Sequence, residues 1–245
     1  MNTAAVLLLI LRTTMNWSGG TGIAWRMFLI IAPHLLAIYL GIAFGWRWAF
    51  TAGCLIAVIY CLAVLRPGCQ WLGPVKRHTG DSSILITIDD GPDPHDTPML
   101  LDLLDRYQTK AVFFFIGEKA IAHPDLVREV ARRGHQIGNH TMTHPHHRFW
   151  CAGPWLTHRE IKNCQNTLKE IIGTCPTLFR APCGHRNLFT HPVAAMLGLT
   201  IVAWSRRGYD AVERDPEKVL SRILPELESG DIVLLHEATP IAGTV

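Results

Sequence analysis

The first 80 residues contain neither aspartate nor glutamate. All 20 acids lie beyond them, beside 17 of the 23 lysines and arginines, so the later part carries a net charge of −3. The early part carries only Arg12, Arg26, Arg47, Arg66, Lys76 and Arg77. The chain also lacks any CxxC pair. Its seven cysteines (Cys54, Cys61, Cys69, Cys151, Cys164, Cys175 and Cys183) are odd in number and show neither zinc-finger spacing nor a disulfide framework. Free thiols are therefore expected, which favours a reducing compartment. Low-complexity tracts and internal repeats are absent. With 49% hydrophobic and 18% charged residues, a disordered or collagen-like chain is excluded. A net charge of +3 is too small to argue for a nucleic-acid partner.

The acid-free part reads as integral membrane. Residues 27–45 form a run of 19 without a formal charge, and residues 49–65 a second of 17. Spanning the hydrocarbon takes about 20 apolar residues, with a range of roughly 17–25. The link Trp46-Arg47-Trp48 has the aromatic and cationic character of a headgroup layer. Pro33 and His34 fall inside the first run and read as a tolerated kink. Residues 4–10 are apolar but too short to span, and are read either as an interfacial segment or as the product of an early start codon. Arg12 and Arg26 precede the spans, Arg66, Lys76 and Arg77 follow them, and only Arg47 stands between. Positive charge is retained in the cytoplasm, so a hairpin with both ends and the later domain on the cytoplasmic side is expected. The resulting organisation is an N-terminal segment at 1–26, two transmembrane helices at 27–66, a linker at 67–80 and a catalytic domain at 81–245.

Beyond the linker, apolar runs alternate with helical patterns. Residues 83–88 and 111–116 read as strands, with shorter ones at 136–139, 178–180, 200–204 and 231–236. Between them, Thr97 followed by Pro98 reads as a helix start, residues 124–133 as a helix closed by Gly134, and Thr157 with Glu160 as a capping box. Asp215-Pro216 starts another helix. Such alternation implies a parallel sheet or barrel.

Polar residues gather just after these strands, where α/β folds place their sites. Asp89 and Asp90 are adjacent carboxylates, which need a cation or a shared proton unless they are solvated caps of an Asp-Gly turn. His140 and His144 are four apart, a spacing that in a helical turn puts both imidazoles on one face. One carboxylate with two imidazoles leaves an open position on a zinc-type ion, as in hydrolytic rather than structural sites. His146 and His147 read as surface histidines. His236 ends the last apolar strand, either as a satisfied core histidine or, over a metal pocket, as a proton donor.

TIDDGP, HTMTH, RAPCG and LLH, in that order, resemble the successive motifs of the polysaccharide deacetylase family, carbohydrate esterase family 4, across residues 82–238. The resemblance implies a distorted (β/α) barrel and metal-dependent removal of an N-acetyl group from a sugar or glycan. Matched residue by residue, Asp90, His140 and His144 would bind a divalent metal, usually zinc. Asp89 would be the general base, His236 the general acid, and Arg180 would orient Asp89. Pro182 and Cys183 would border the substrate, the backbone N–H of Cys183 helping to hold the oxyanion. Three departures stand out. Cys183 replaces an aromatic residue. Arg207 stands where the family has the first Asp of a carboxylate pair, so that the brace on Arg180 is absent or supplied by Asp210. Only nine residues follow His236, where such domains normally continue with another helix and strand, so a truncated or frameshifted product is expected. The alternatives are a catalytically silent binding module on the same fold, or a hydrolase of O-acetyl esters or lipid-linked sugars.

Overall fold

The computed structural model describes residues 20–244, with side chains from residue 31 onward. The apolar stretch at 4–10 and Arg12 lie outside the described residues. Helix α1 (Gly20–Phe44) runs through Pro33 and meets α2 (Trp46–Leu65) at Gly45, whose φ of 97° makes the reversal. Among the described residues, α2 is the one helix long and apolar enough to cross a membrane, with a mean hydropathy of 2.2; the described side chains of α1 continue the apolar character over Ile31–Phe44. Leu35, Ile42, Trp46, Phe50 and Leu55 all stand exposed on this pair.

The hairpin is tied to the rest of the chain through Arg186. Its backbone N–H donates to Val64 O at 3.1 Å, and its buried guanidinium donates to the carbonyls of Cys69 at 2.5 Å and Arg66 at 3.3 Å.

The remainder is a curled, seven-stranded half-barrel flanked by helices, every strand pairing parallel. The strands are β1 (Leu85–Gly91), β2 (Ala111–Phe115), β3 (Gln136–Asn139), β4 (Leu178–Phe179), β5 (Thr200–Ile201), β6 (Arg206–Arg207) and β7 (Ile232–His236), in spatial order β5-β4-β3-β2-β1-β7-β6. Strand β2 shows why the sequence folds this way. Phe114 packs inward with Phe179, Trp204, Ile232 and Leu234, while Phe113 and Phe115 pack outward on Leu101, Val127, Val130 and Leu168. A parallel strand covered on both faces needs an unbroken apolar run, and AVFFF supplies it.

The covering helices are α3 (Asp96–Arg106), α4 (Gly117–Ala122), α5 (Pro124–Arg132), α6 (Pro154–Ile172), α7 (Thr190–Met196) and α8 (Pro216–Ile223). The Asp215 cap of α8 is as expected, its carboxylate accepting from Glu217 N at 3.1 Å. Two other expected starts are not. Thr97 lies inside α3, buried, with its hydroxyl on the Glu237 carboxylate. Thr157 lies inside α6, which starts at Pro154. Glu160 reaches away from that helix, accepting from Thr143 N at 2.9 Å and Thr143 Oγ1 at 3.1 Å. Strand β6 and helices α4 and α7 had no counterpart in the sequence pattern.

Candidate active site

The functional side chains sit at the carboxyl ends of the strands, and the backbone aims them. Consecutive strand residues normally face opposite ways. Asp89 pairs with Phe114 and Gly91 with Phe115, which leaves Asp90 as an unpaired bulge at φ 70°. The bulge turns Asp90 so that both carboxylates approach His140 Nε2, Asp89 Oδ2 at 3.8 Å and Asp90 Oδ1 at 3.4 Å. Lys119 fixes the bulge by donating to Asp90 O at 2.6 Å. Gly91 then passes close to Glu237, whose carboxylate would lie 2.7 Å from any Cβ placed there.

His140 and His144 are not on a helix, as their spacing suggested, but on the loop after β3. Thr141 at φ 71° and His144 at φ 50° fold that loop, while Asn139 Oδ1 and Glu160 accept from the backbone N–H groups of Thr141 and Thr143. The result brings His144 Nε2 to 3.3 Å from Asp90 Oδ1. Asp90, Thr141, His144, Cys183 and Tyr209 all hold positive φ around this one site. Non-glycine residues in that region store strain of about 1–3 kcal/mol each, which only an over-determined surround maintains.

One atom of each of Asp90, His140 and His144 lies within 4.8 Å of the others. Chemistry says what such a cluster wants. His140 Nδ1 meets the carbonyl of Arg180 at 2.8 Å and must carry the proton there, since a carbonyl only accepts. In the neutral ring Nε2 is then a lone pair, facing a carboxylate oxygen. Asp90 Oδ1 is buried and has no hydrogen-bond partner. Burial pushes His144 down to about 3, whereas at His140 the Asp89 and Asp90 carboxylates outweigh burial and raise it. Burial works against ionisation of Asp90, but the neighbouring His140, His144 and His236 outweigh it and hold the carboxyl below its usual range. With both Nε2 atoms deprotonated, as metal binding requires, two lone pairs converge on an ionised oxygen and fit a divalent cation, with the His140–Arg180 contact setting the tautomer.

Arg180 is fully buried between the Phe114 ring, 4.3 Å from its guanidinium carbon, and the Trp204 ring at 5.7 Å. It donates to Asp89 Oδ1 at 2.7 Å, Thr87 Oγ1 at 2.8 Å and the carbonyls of Ala203 at 3.0 Å and Val202 at 3.4 Å. Carbonyls and a hydroxyl thus replace the second carboxylate expected there. Asp210 does not brace Arg180; both of its oxygens engage His236, at 2.6 Å to the backbone N and 2.9 Å to Nδ1. Burial alone would lower the His236 pKa, but the Asp210 hydrogen bond and the nearby Asp89, Asp210 and Asp90 carboxylates raise it. Cys183 follows Pro182 in a short turn at φ 53°, its side chain accessible, with partial burial and the Asp90 and Asp89 charges raising its thiol. All seven cysteines are free, and burial pushes Cys164 up to about 12. His146 and His147 are exposed, their rings 3.7 Å apart. Thr87, Asn139, Lys119 and Glu160 were missed, for no local pattern marks a residue whose role is to hold another.

Residues 76–202 match the family model described as polysaccharide deacetylase. The chain belongs to that family. It is 33% identical over 171 residues to a chitooligosaccharide deacetylase of Bradyrhizobium sp., covering 68% of this chain and 77% of the relative. It is 36% identical over 156 residues to a peptidoglycan-N-acetylglucosamine deacetylase of Bacillus cereus, covering 63% and 72%. The structure of a family 4 carbohydrate esterase from Streptomyces lividans in complex with acetate superposes with a TM-score of 0.61 at 30% identity, covering 66% of this chain and 82% of that one. This member is accordingly a hydrolase of the carbohydrate deacetylase type.

Proposed function

We propose that this chain is a membrane-anchored, metal-dependent sugar N-deacetylase, acting on an acetamido sugar of a glycan or lipid-linked precursor. The observation that carries the reading is the buried, unpartnered Asp90 Oδ1 between the Nε2 atoms of His140 and His144. Asp90, His140 and His144 would hold the ion, zinc by the chemistry of this donor set. When bound, it would polarise the amide carbonyl and acidify water.

Asp89 divides its labour. Oδ1 is held by Arg180, leaving Oδ2 turned toward His140 to accept the proton of the attacking water. As the water oxygen bonds to the acetyl carbon, the Cys183 backbone N–H would stabilise charge on the carbonyl oxygen. His236, whose imidazolium form Asp210 favours, gives its proton to the sugar nitrogen as the C–N bond breaks. Acetate and a free amine result.

The exposed apolar surfaces of α1 and α2 support integral membrane attachment, with the catalytic domain on the cytoplasmic side by the charge bias of the flanks. A reporter active only in the cytoplasm, fused after residue 80, would be active; a silent one beside an active periplasmic fusion would overturn that orientation. The activity itself is tested by acetate release from an N-acetylglucosamine oligosaccharide with and without chelator. Chelator-sensitive release supports the reading. A protein that releases no acetate after metal reloading refutes it, leaving a binding module.

A further inference from the structure

We propose that the substrate is an acetamido sugar bearing a phosphate, and that Arg207 grips that phosphate. The inference rests on the deacetylase reading above and adds a charge to its substrate.

The register fixes where Arg207 points. It pairs with Leu234, and Arg206 with Val233. Side chains alternate along a strand, while laterally paired residues share a face. Arg206 is turned away and neutralised by Asp231 and Glu226, each at 2.7 Å. Arg207 shares the inner face with Leu234, and through β1 with Thr87; one pair further along that face stand Asp89 and His236.

Arg207 is a cation in need of an anion. It has no ion-pair partner among the described residues, and its Nε is buried without a hydrogen bond. What holds it is flat aromatic surface: its guanidinium carbon lies 3.9 Å from the Tyr209 ring centre and 5.4 Å from that of Trp204. Stacking of this kind fixes the plane of the fork and leaves its edge donors for a ligand. The charge reaches the site, opposing the effect of burial on the Cys183 thiol and adding to it at the His185 imidazole.

A second observation concerns where such a phosphate would come from. A Cβ on Gly184 would lie 2.6 Å both from Pro67 Cβ and from an edge atom of Trp204. Pro67 stands two residues beyond the end of α2. The Cys183 turn therefore lies against both the ring under Arg207 and the chain just beyond the end of the apolar helix. A phosphate that links a sugar to a lipid would lie in this layer, and a free sugar phosphate offers the same oxygens.

The test uses the full-length chain in detergent. Acetate release is compared for N-acetylglucosamine 1-phosphate and the neutral methyl glycoside of the same sugar. Wild type should favour the phosphate by about 10- to 100-fold in kcat/KM, mostly through KM, as for a charge-assisted contact. In Arg207→Gln the preference should vanish, and Arg207→Lys should keep part of it. A wild type without preference, or a preference untouched in Arg207→Gln, overturns the proposal. A wild type that releases acetate from neither substrate overturns the deacetylase reading itself, and this inference with it. A last arm presents the same sugar phosphate on a polyprenol in phosphatidylcholine vesicles. Faster release there assigns the phosphate to a lipid, equal release to a soluble sugar phosphate, and both retain Arg207 as its grip.

Discussion

Asp210 holds His236 with both carboxylate oxygens, one on the backbone N–H at 2.6 Å and one on Nδ1 at 2.9 Å. The first contact fixes where the imidazole starts and the second fixes its rotation, so Nε2 is left for the reacting group. The pairing also favours the imidazolium, the form that can give a proton away.

A pH dependence follows from that pairing. His236 lies above its ordinary value, so a step needing its proton proceeds below that raised pKa and fails as pH rises through it. Asp210→Asn removes the negative charge and should move the basic limb of kcat/KM to lower pH. A full pH–rate profile of both proteins checks this, and an unmoved limb would show that another group donates.

Asp89→Asn should separate metal binding from turnover and also weaken the fold. The variant keeps Asp90, His140 and His144, so the ion should stay while acetate release stops. Arg180 is fully buried, and Asp89 is its sole carboxylate partner among the described residues. Breaking a buried pair typically costs about 3–5 kcal/mol, and the remaining carbonyl contacts place this one toward the lower end. Thermal unfolding should show a clearly reduced midpoint; an unchanged midpoint would mean that the carbonyls alone satisfy Arg180.

Gly91→Ala should be destabilising through packing alone. The new Cβ would meet the Glu237 carboxylate at 2.7 Å. Glu237 is buried and held by Thr97 Oγ1 and by Asp93 N, so it has little room to retreat. Overpacking of this kind costs about 1–3 kcal/mol, and the adjacent Asp90 bulge should shift with it. The expected result is a lower unfolding midpoint with reduced metal affinity; full affinity would show that the bulge does not depend on Gly91.

Much of the barrel was legible because its strands are buried on both faces: AVFFF in β2 permits little else. The chemistry-bearing residues were legible because each follows such a strand. The means by which they meet was not. His140 and His144 converge through left-handed residues in a loop rather than through a helical turn, and no residue type announces φ 71° at a threonine. Asp89 and Asp90 converge only because a bulge breaks the alternation of β1. The Thr157/Glu160 pattern misled for a related reason, since Glu160 serves the histidine loop and Pro154 starts the helix. Arg180 kept its ion pair without the expected second carboxylate because backbone carbonyls from the segment after β5, 22 and 23 residues away in sequence, supply the remaining contacts.

The most direct test of the central claim is the divalent metal bound per chain, measured by elemental analysis of the purified full-length protein after reloading, in wild type and in the His140→Ala/His144→Ala double variant. If Asp90, His140 and His144 form the ion site, wild type carries about one ion and the double variant carries none, with acetate release lost in parallel. Full metal occupancy in the double variant would contradict the account.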